Sequence, residues 1–251
     1  MSGHRLVASL ALAASLLIAG RAGAAADPGA VAMLEAMEPA YATVSGYTAR
    51  FIRQEVIDGR LRPREEAMLK FQRPNRVYLR WVAGPPKGRE MLYPGPSADT
   101  AVVYEPGVIT GMFTVVLAPD SPHVLKQSRH PVTDVGIGRL VDLVLANARR
   151  GLQAGDGDIL DRGVGRDGGR TERRVELVFP RRAERPYYAR RALIGIDVDT
   201  RLPVRATIFD WEERLVEDYE YRDVRLNPPL SARDFEASNP DYRFPRWRIT
   251  R

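Results

Sequence analysis

Residues 67–81, AMLKFQRPNRVYLRW, decide the fold that this sequence predicts. Apolar and polar side chains alternate on both sides of the central segment Arg73-Pro74-Asn75. The apolar positions are Ala67, Leu69, Phe71, Val77, Leu79 and Trp81. A period of two places alternate side chains on opposite faces of a strand, and the Arg-Pro-Asn segment is a turn signal. The stretch therefore predicts two antiparallel strands that share one apolar face.

The same alternation extends in both directions along the chain. Its clearest further examples are Tyr47, Ala49, Phe51, Val175, Leu177 and Phe179. Such patterns predict about nine strands in all, separated by turn signals such as Asp58-Gly59.

Two segments show the spacing of amphipathic helices instead. The first stripe comprises Ala30, Met33, Leu34, Met37 and Tyr41, and the second comprises Ile137, Leu140, Val141, Val144, Leu145 and Ala148. Runs of strands with helices apart from them predict an α+β fold with an antiparallel sheet. Each helix must bury its apolar stripe, so we expect both helices to cover the apolar face of the sheet.

Local signals predict where the two helices begin and end. Pro39 is expected to end or kink the first helix near Glu38, because proline removes a backbone donor. Thr133 or Asp134 is expected to cap the start of the second helix, and Gly151 is expected to stop it.

Three segments lack a clear period. Residues 108–117 are apolar and fit either a buried strand or a short helix. Residues 118–131 hold three prolines and predict an irregular loop. Residues 155–169 are rich in glycine, aspartate and arginine and predict a hairpin loop.

The first 26 residues have the pattern of a secretory signal. A short start with one arginine precedes an apolar run, and Ala24-Ala25-Ala26 offers small residues for cleavage near Ala26. The apolar run is shorter than the roughly 20 residues that span a bilayer, although an uncleaved membrane anchor is the alternative. We therefore expect a periplasmic protein with no stable transmembrane insertion.

Composition excludes several function classes. The chain has no cysteine, so disulfides, thiolate nucleophiles and iron–sulfur clusters are ruled out. The formal net charge is +6, and the basic residues are spread along the chain rather than clustered with aromatic residues. A nucleic-acid partner is therefore not expected.

Metal and catalytic signals are weak. His123 and His130 stand seven residues apart near Asp120 and Asp134, which matches no ligand spacing of a helix or strand. The aspartates of residues 156–161 lack the glycine and glutamate of a calcium loop. No phosphate loop or nucleophile elbow occurs. We predict no metal site, no cofactor and no catalytic residues, so the protein is not expected to be an enzyme.

The apolar face of the predicted sheet has two possible roles. If two helices cover it fully, the face is a filled core. If they leave a gap, the gap is an apolar groove suited to acyl chains, where each buried methylene contributes about 0.8 kcal/mol.

The order of motifs adds a resemblance. Residues 47–54 (YTARFIRQ) and the strand ending in Arg73-Pro74-Asn75 come first, and residues 196–203 (IDVDTRLP) and 221–227 (YRDVRLN) come later. This order resembles the LolA-like periplasmic lipoprotein carriers, and more closely an uncharacterised family of exported bacterial proteins with that architecture. Residues 128–133 (SRHPVT) are typical of that family.

The resemblance implies an unclosed, strongly curved β-barrel with helices as a lid over an apolar cavity. It implies a single domain over residues 27–240, followed by a basic tail at residues 241–251. The expected cavity residues are Ala49, Phe51, Leu69, Phe71, Val77, Leu79 and Trp81. Arg73 matches the arginine that controls the lid of the carriers, whereas the motif Ser128, Arg129, His130 and Pro131 has no known role.

These observations predict a carrier or binder of an acylated or lipid-like molecule in the cell envelope. The alternative is a module on the same scaffold that binds or senses another envelope protein without a lipid ligand. A third hypothesis is a hydrolase that uses His130 with Asp134 or Arg129. The identity of the ligand does not follow from the sequence.

Overall fold

The computed structural model describes residues 24–106, 113–167, 169–184 and 186–244. Its long helices are α1 (Pro28–Ala42) and α3 (Ile137–Ala154), and α2 (Pro122–Leu125) is a single turn. Its strands are β1 (Gly46–Ile57), β2 (Arg60–Leu61), β3 (Glu65–Gln72), β4 (Arg76–Ala83), β5 (Glu90–Tyr93), β6 (Ala101–Glu105), β7 (Phe113–Leu117), β8 (Asp158–Asp167), β9 (Arg170–Val178), β10 (Arg191–Asp197), β11 (Pro203–Phe209) and β12 (Leu215–Leu226). Two 3₁₀ helices cover Val132–Asp134 and Ala232–Phe235.

All twelve strands belong to one antiparallel sheet. The order is β7-β6-β5-β4-β3-β1-β12-β11-β10-β9-β8, with β2 paired to β1 alone. Within the described residues β7 and β8 are the two edges and do not pair, so the barrel is not closed. The predicted α+β fold with an unclosed antiparallel sheet is confirmed.

The apolar face of the sheet and the two long helices form one core. Buried residues of β3 and β4 join the same cluster as those of β9 and β10, although many strands separate them in the sheet. The sheet therefore curves around α1 and α3. The alternation predicted for residues 67–81 is confirmed, because Leu69 and Val77 are fully buried on this concave face while Met68 and Arg80 are exposed.

The opposite, convex face carries a smaller cluster. Tyr78, Leu92 and Tyr104 pack there beneath residues 231–244. Tyr78 and Tyr242 stack with ring centroids 3.8 Å apart. We call residues 231–244 the strap. Tyr242 and Phe244 of the predicted basic tail are thus buried, whereas residues 245–251 lie outside the described part of the chain.

The helix boundaries differ from the prediction. Helix α1 continues through Pro39 to Ala42. The proline removes a single backbone donor, so one carbonyl four residues earlier loses its helical hydrogen bond while the helix continues. Helix α3 passes Gly151, which is buried against Phe179, and ends at Gly155 in the left-handed conformation (φ 63°).

The start of α3 is capped by a tyrosine and not by Thr133 or Asp134, which belong to the preceding 3₁₀ helix. The N–H of Ile137 donates to Tyr47 Oη at 2.9 Å. A hydroxyl from the distant strand β1 thus satisfies an amide that a local side chain was expected to cap.

The predicted hairpin loop at residues 155–169 is wrong. Ten of these residues form the edge strand β8, which pairs with β9. A bulge follows Asp161, and Gly163 has a φ of 78°. Asp161 pairs with Arg173, and Arg162 pairs with Glu176. Cross-strand ion pairs stabilise this strand in place of apolar contacts. Its sequence therefore lacks the alternation of apolar and polar side chains by which a strand is recognised.

The other unassigned segments are partly regular. Residues 113–117 of the apolar segment form β7, while residues 107–112 are outside the described part of the chain. The strand alternative is right for these five residues, but β7 is an edge strand with Val116 51% exposed and not the buried strand that was expected. The predicted irregular loop at 118–131 contains α2. The strand count therefore rises from about nine to twelve through β2, β7 and β8.

The predicted signal segment falls mostly on residues 1–23, outside the described residues. The next residues contact β8, where Asp27 N–H donates to Ile159 O at 2.8 Å and Ile159 N–H donates to Ala25 O at 2.8 Å. Among the helices that the structure describes, none combines the length and apolar character needed to cross a bilayer.

Candidate functional site

Two neighbouring cavities lie on the concave side of the sheet. The larger has a volume of about 210 Å³ and lies between β1, β11, β12 and the start of α3. Its apolar lining comes from Phe51, Val135, Leu140, Leu143, Ala206, Ile208, Tyr219 and Tyr221. The smaller, about 40 Å³, lies against β1, β4, β5 and β6. Both share Phe51, Arg53, Ser128, His130 and Val135 as lining residues.

The predicted cavity residues divide into two groups. Phe51 lines both cavities, and Leu79 and Trp81 line the smaller one. The remaining four, Ala49, Leu69, Phe71 and Val77, are at most 4% exposed and pack within the core. Four of the seven expected wall positions are therefore filled core.

Close packing at the start of α3 fills that end of the sheet. The rings of Tyr47 and Phe71 stack with centroids 5.0 Å apart. A Cβ added to Gly136 would lie 3.0 Å from the Phe71 ring. The first turn of α3 therefore sits directly on these rings and leaves no gap between them.

A short segment contributes lining residues to both cavities. We call residues 128–135 the crossing segment; it contains the motif Ser128, Arg129, His130 and Pro131. Ser128 Oγ accepts a hydrogen bond from Arg53 Nη1 at 2.8 Å. Thr133 O accepts one from Asn75 Nδ2 at 2.8 Å. The crossing segment is therefore tied to β1 at one end and to the β3–β4 turn at the other.

Glu217, on β12, is the centre of a buried polar cluster beneath the crossing segment. Its side chain is 3% exposed. Glu217 Oε1 accepts hydrogen bonds from Arg129 Nε at 2.8 Å and from Tyr188 Oη at 2.6 Å. His130 Nε2 lies 3.2 Å from the same oxygen and 3.0 Å from Tyr188 Oη.

Glu55, on β1, extends the cluster. Its Oε1 accepts a hydrogen bond from Tyr219 Oη at 2.5 Å, and its Oε2 accepts one from the Arg129 N–H at 3.3 Å. Arg53 Nη1 lies 3.7 Å from Glu55, and Arg53 Nη2 lies 2.9 Å from Glu65. Partners within the protein thus satisfy the buried carboxylates, as burial of charge requires.

The electrostatics of the cluster favour charged His130 and charged Glu217. Burial opposes the imidazolium, but the hydrogen bond and charge of Glu217 outweigh it, so the pKa of His130 is raised above its ordinary value. Burial likewise opposes the carboxylate, but His130, Tyr188 and Arg129 lower the pKa of Glu217 below its ordinary value. Burial and the nearby carboxylates raise the pKa of Tyr188 and Tyr219, which stay protonated donors.

Arg73 contacts the end of α1. Its Nη1 donates to Ala42 O at 3.3 Å and approaches Val44 O at 3.5 Å, and its guanidinium lies 5.5 Å from the ring centre of Tyr41. This contact fits the lid role that the resemblance implies, and the role stays a prediction.

Sequence reasoning missed the polar members of the site. Arg53 and Glu55 continue the inward phase of Tyr47, Ala49 and Phe51 on β1, so their positions faced the interior despite their charge. Glu217 likewise shares one face of β12 with Tyr219 and Tyr221, which a period of two could have revealed. Within the described residues, no group of three potential ligands is placed to hold a metal ion.

Several solved structures are similar to this chain at low identity. Lipoprotein LppX of Mycobacterium tuberculosis has 15% identity and a TM-score of 0.48, covering 82% of this chain and 99% of its own. A LolA superfamily protein from Nitrosomonas europaea has 11% identity and a TM-score of 0.34, with 82% and 97% covered. MucB, in the Pseudomonas aeruginosa MucA/MucB complex, has 15% identity and a TM-score of 0.44, with 83% and 60% covered.

None of the curated proteins matches the sequence. A family model described as a protein of unknown function, DUF1571, matches residues 44–244. This range contains the whole sheet, the crossing segment and the strap. The chain therefore belongs to the DUF1571 family, which confirms the uncharacterised family that the order of its motifs indicated.

Proposed function

We propose that this protein binds an acylated or lipid-like molecule in the cavities of the concave face and carries it within the periplasm. The observation that supports this proposal is the cavity of about 210 Å³, whose surface is mostly apolar side chains beneath α3 and the crossing segment. In this proposal the protein is a carrier without catalytic activity, metal or cofactor.

The size of the larger cavity limits what can bind without rearrangement. Apolar cavities of about 150 Å³ hold a benzene molecule, so 210 Å³ admits a ring or a short acyl segment. A longer chain needs the smaller cavity as well, and the crossing segment lines both of them. Each methylene that leaves water adds about 0.8 kcal/mol, so joining the cavities favours longer chains.

Binding is tested by adding a fluorescent fatty-acid probe to the purified mature protein. Leu143 lines the larger cavity from α3 and is only partly buried, so Leu143→Glu places a charge there with little cost to folding. The matched control is Leu152→Glu, at an exposed position of the same helix. We expect the probe to bind to the wild type and to the control but not to Leu143→Glu. Equal binding by all three proteins would contradict the proposal.

A second measurement identifies the natural ligand. Extraction of the purified protein with organic solvent, followed by mass spectrometry, should release an acylated molecule from the wild type and less from Leu143→Glu.

The filled end of the concave face favours a second candidate function. Ala49, Leu69, Phe71 and Val77 form core and not cavity wall, which is the arrangement expected of a module that binds another envelope protein. Co-purification of one protein partner in stoichiometric amount, without any extracted lipid, would support this alternative over the carrier.

A further inference from the structure

The crossing segment is placed to control access between the two cavities. Three of its residues, Ser128, His130 and Val135, line both of them. Displacement of this segment would join the cavities into one groove along the concave face. The contacts that hold the crossing segment against the sheet therefore limit the length of the acyl chain that can enter.

Its attachment depends on ionic contacts rather than on apolar packing alone. Arg129 and His130 both contact Glu217, and the backbone N–H of Arg129 also donates to Glu55. Arg53, on β1, donates to Ser128. Removing charge from any one of these groups weakens the attachment without removing a core side chain.

His130 lies among charged groups of both signs. The buried Glu55 and Glu217 contact the guanidiniums of Arg53 and Arg129. His130 Nε2 lies 3.2 Å from Glu217 Oε1, and His130 Nδ1 lies 4.0 Å from Asp134 Oδ2. An imidazolium at this position is therefore attracted to two carboxylates on opposite sides of its ring.

The hydrogen bonds of His130 fix which ring nitrogen carries a hydrogen when the ring is neutral. The hydroxyl of Tyr188 donates to Glu217, so His130 Nε2 must carry a hydrogen to interact with both. In neutral His130 the other nitrogen, Nδ1, is then an unprotonated acceptor that faces Asp134 Oδ2 at 4.0 Å. Protonation turns that repulsive contact into an attractive one.

We propose that the crossing segment is a pH-sensitive latch, closed when His130 is charged and loosened when His130 is neutral. Loosening would join the cavities and admit a longer acyl chain. The latch regulates the site described under the proposed function and rests on that proposal for its biological role. Arg129 stays charged throughout, so the segment loosens while its anchor on Glu217 remains.

Charged and titratable groups face His130 from every neighbouring element. They are Glu217 and Tyr219 on β12, Glu55 and Arg53 on β1, Tyr188 before β10, Asp134 and Arg129 on the crossing segment and Arg139 on α3. Histidine is the side chain among these types whose ordinary pKa lies between about pH 5.5 and 8.

The pKa of His130 is raised by Glu217, which sets the direction of the effect. A histidine with a raised pKa stabilises the closed state fully below its ordinary pKa and loses that contribution as the pH rises through the raised value. The latch is therefore closed in mild acid and loosened in mild base.

Hydrogen–deuterium exchange of the ligand-free protein tests the latch directly. After correction for intrinsic exchange, protection of amides 128–135 should fall about threefold or more between about pH 5.5 and 8. The fall should vanish in His130→Gln, which keeps a polar side chain without titrating. It should persist in the matched control His123→Gln, which removes the other histidine of residues 118–135. Equal protection of the wild type at both pH values would overturn the latch, as would a fall that persists in His130→Gln.

A measurement on the wild type removes any dependence on a variant that folds poorly. The midpoint of the change in protection should coincide with the titration of the His130 imidazole followed by NMR. Midpoints that differ by more than about one pH unit would overturn the latch.

Uptake of an uncharged fluorescent long-chain acyl ester separates the latch from the carrier function, because the probe itself does not titrate. Uptake should be several-fold faster at pH 8 than at pH 5.5. No uptake at either pH would count against the carrier, while the exchange experiment would still decide the latch. Uptake at the same rate at both pH values would support the carrier and overturn the latch.

Discussion

Contacts of aromatic side chains with two glycines fix the start of α3 and therefore one end of the larger cavity. The Tyr47 hydroxyl accepts a hydrogen bond from the Ile137 N–H, and the rings of Phe71 and Tyr41 lie against the backbone at Gly136 and Gly138. Gly136 and Gly138 permit that approach because they carry no side chain. A Cβ on Gly138 would lie 2.3 Å from the Tyr41 ring, which is far inside van der Waals contact.

Gly138→Ala should destabilise the protein. The added methyl group must displace Tyr41 from the start of α3, and such overpacking costs about 1–3 kcal/mol. Urea denaturation measures the free energy of unfolding, with Ala146→Gln at an exposed position of α3 as the control. The control should change by less than about 0.5 kcal/mol. If Gly138→Ala is as stable as the wild type, the Tyr41 ring is not held against Gly138.

Tyr47→Phe should destabilise the protein for a different reason. The ring stays, but the fully buried N–H of Ile137 loses its acceptor, which costs about 1–3 kcal/mol. The same denaturation experiment measures it, and the core packing of Phe71 should be unchanged in a crystal structure of the variant. A loss below about 0.5 kcal/mol would mean that water or another acceptor replaces the hydroxyl.

At the scale of elements, sequence periodicity identifies strands where one face is apolar and fails where ion pairs replace apolar contacts. The strands β1, β3 and β4 were predicted because their buried positions alternate with polar ones. The edge strand β8 was missed because it is held by partners on β9 and is mostly polar. Helix ends were missed where a distant tyrosine, and not the adjacent residue, supplies the cap.

The strap is an element whose attachment rests on few side chains. Phe235 is 2% exposed against the convex cluster, and Lys70 donates to Asp234 at 2.7 Å. Phe235→Ala should release the strap while the concave core stays folded, because the two clusters are separate. Limited trypsin digestion should then cleave faster at Arg233 and Arg243, and the loss of stability should not exceed about 3–5 kcal/mol.

The exposed neighbour Glu236 provides the control for the strap. Glu236→Ala should be digested at the wild-type rate. Unchanged digestion of Phe235→Ala would show that other contacts hold the strap in place.

At the scale of the whole molecule, the curved sheet brings β1 and β12 together and lays the crossing segment over both. This places two buried carboxylates, an imidazole and two guanidiniums inside an otherwise apolar concavity. The stability of the whole chain should therefore depend on pH through this cluster.

The contribution of the His130–Glu217 pair to the free energy of unfolding should be largest between about pH 4.5 and 6.5. Glu217, with a lowered pKa, loses its contribution as the pH falls through its folded-state value, which lies below 4.5. His130, with a raised pKa, loses its contribution as the pH rises through its folded-state value, which lies above 6.5.

Denaturation of the wild type and of His130→Gln, inside this pH window and on both sides of it, measures the contribution as a difference in the free energy of unfolding. The difference should shrink on both sides of the window. A difference that is constant with pH would show that the imidazole does not titrate against Glu217 in the folded protein.

The sequence by itself determined the α+β class, the concave positions of β1, β3 and β4, and the family. It could do so because side-chain direction alternates with the local backbone, and because the order of motifs is a property of the chain alone. It also placed Ser128 to His130 in a motif without explaining them.

Only the tertiary structure decided which apolar positions became core and which line a cavity. Ala49 and Phe51 are alike in the sequence pattern, yet the first turn of α3 fills the space at the Ala49 end and leaves it open near Phe51. The cluster around Glu217 is likewise a tertiary feature, because its members come from segments far apart in the chain. Their burial becomes tolerable only when folding brings opposite charges within hydrogen-bond distance.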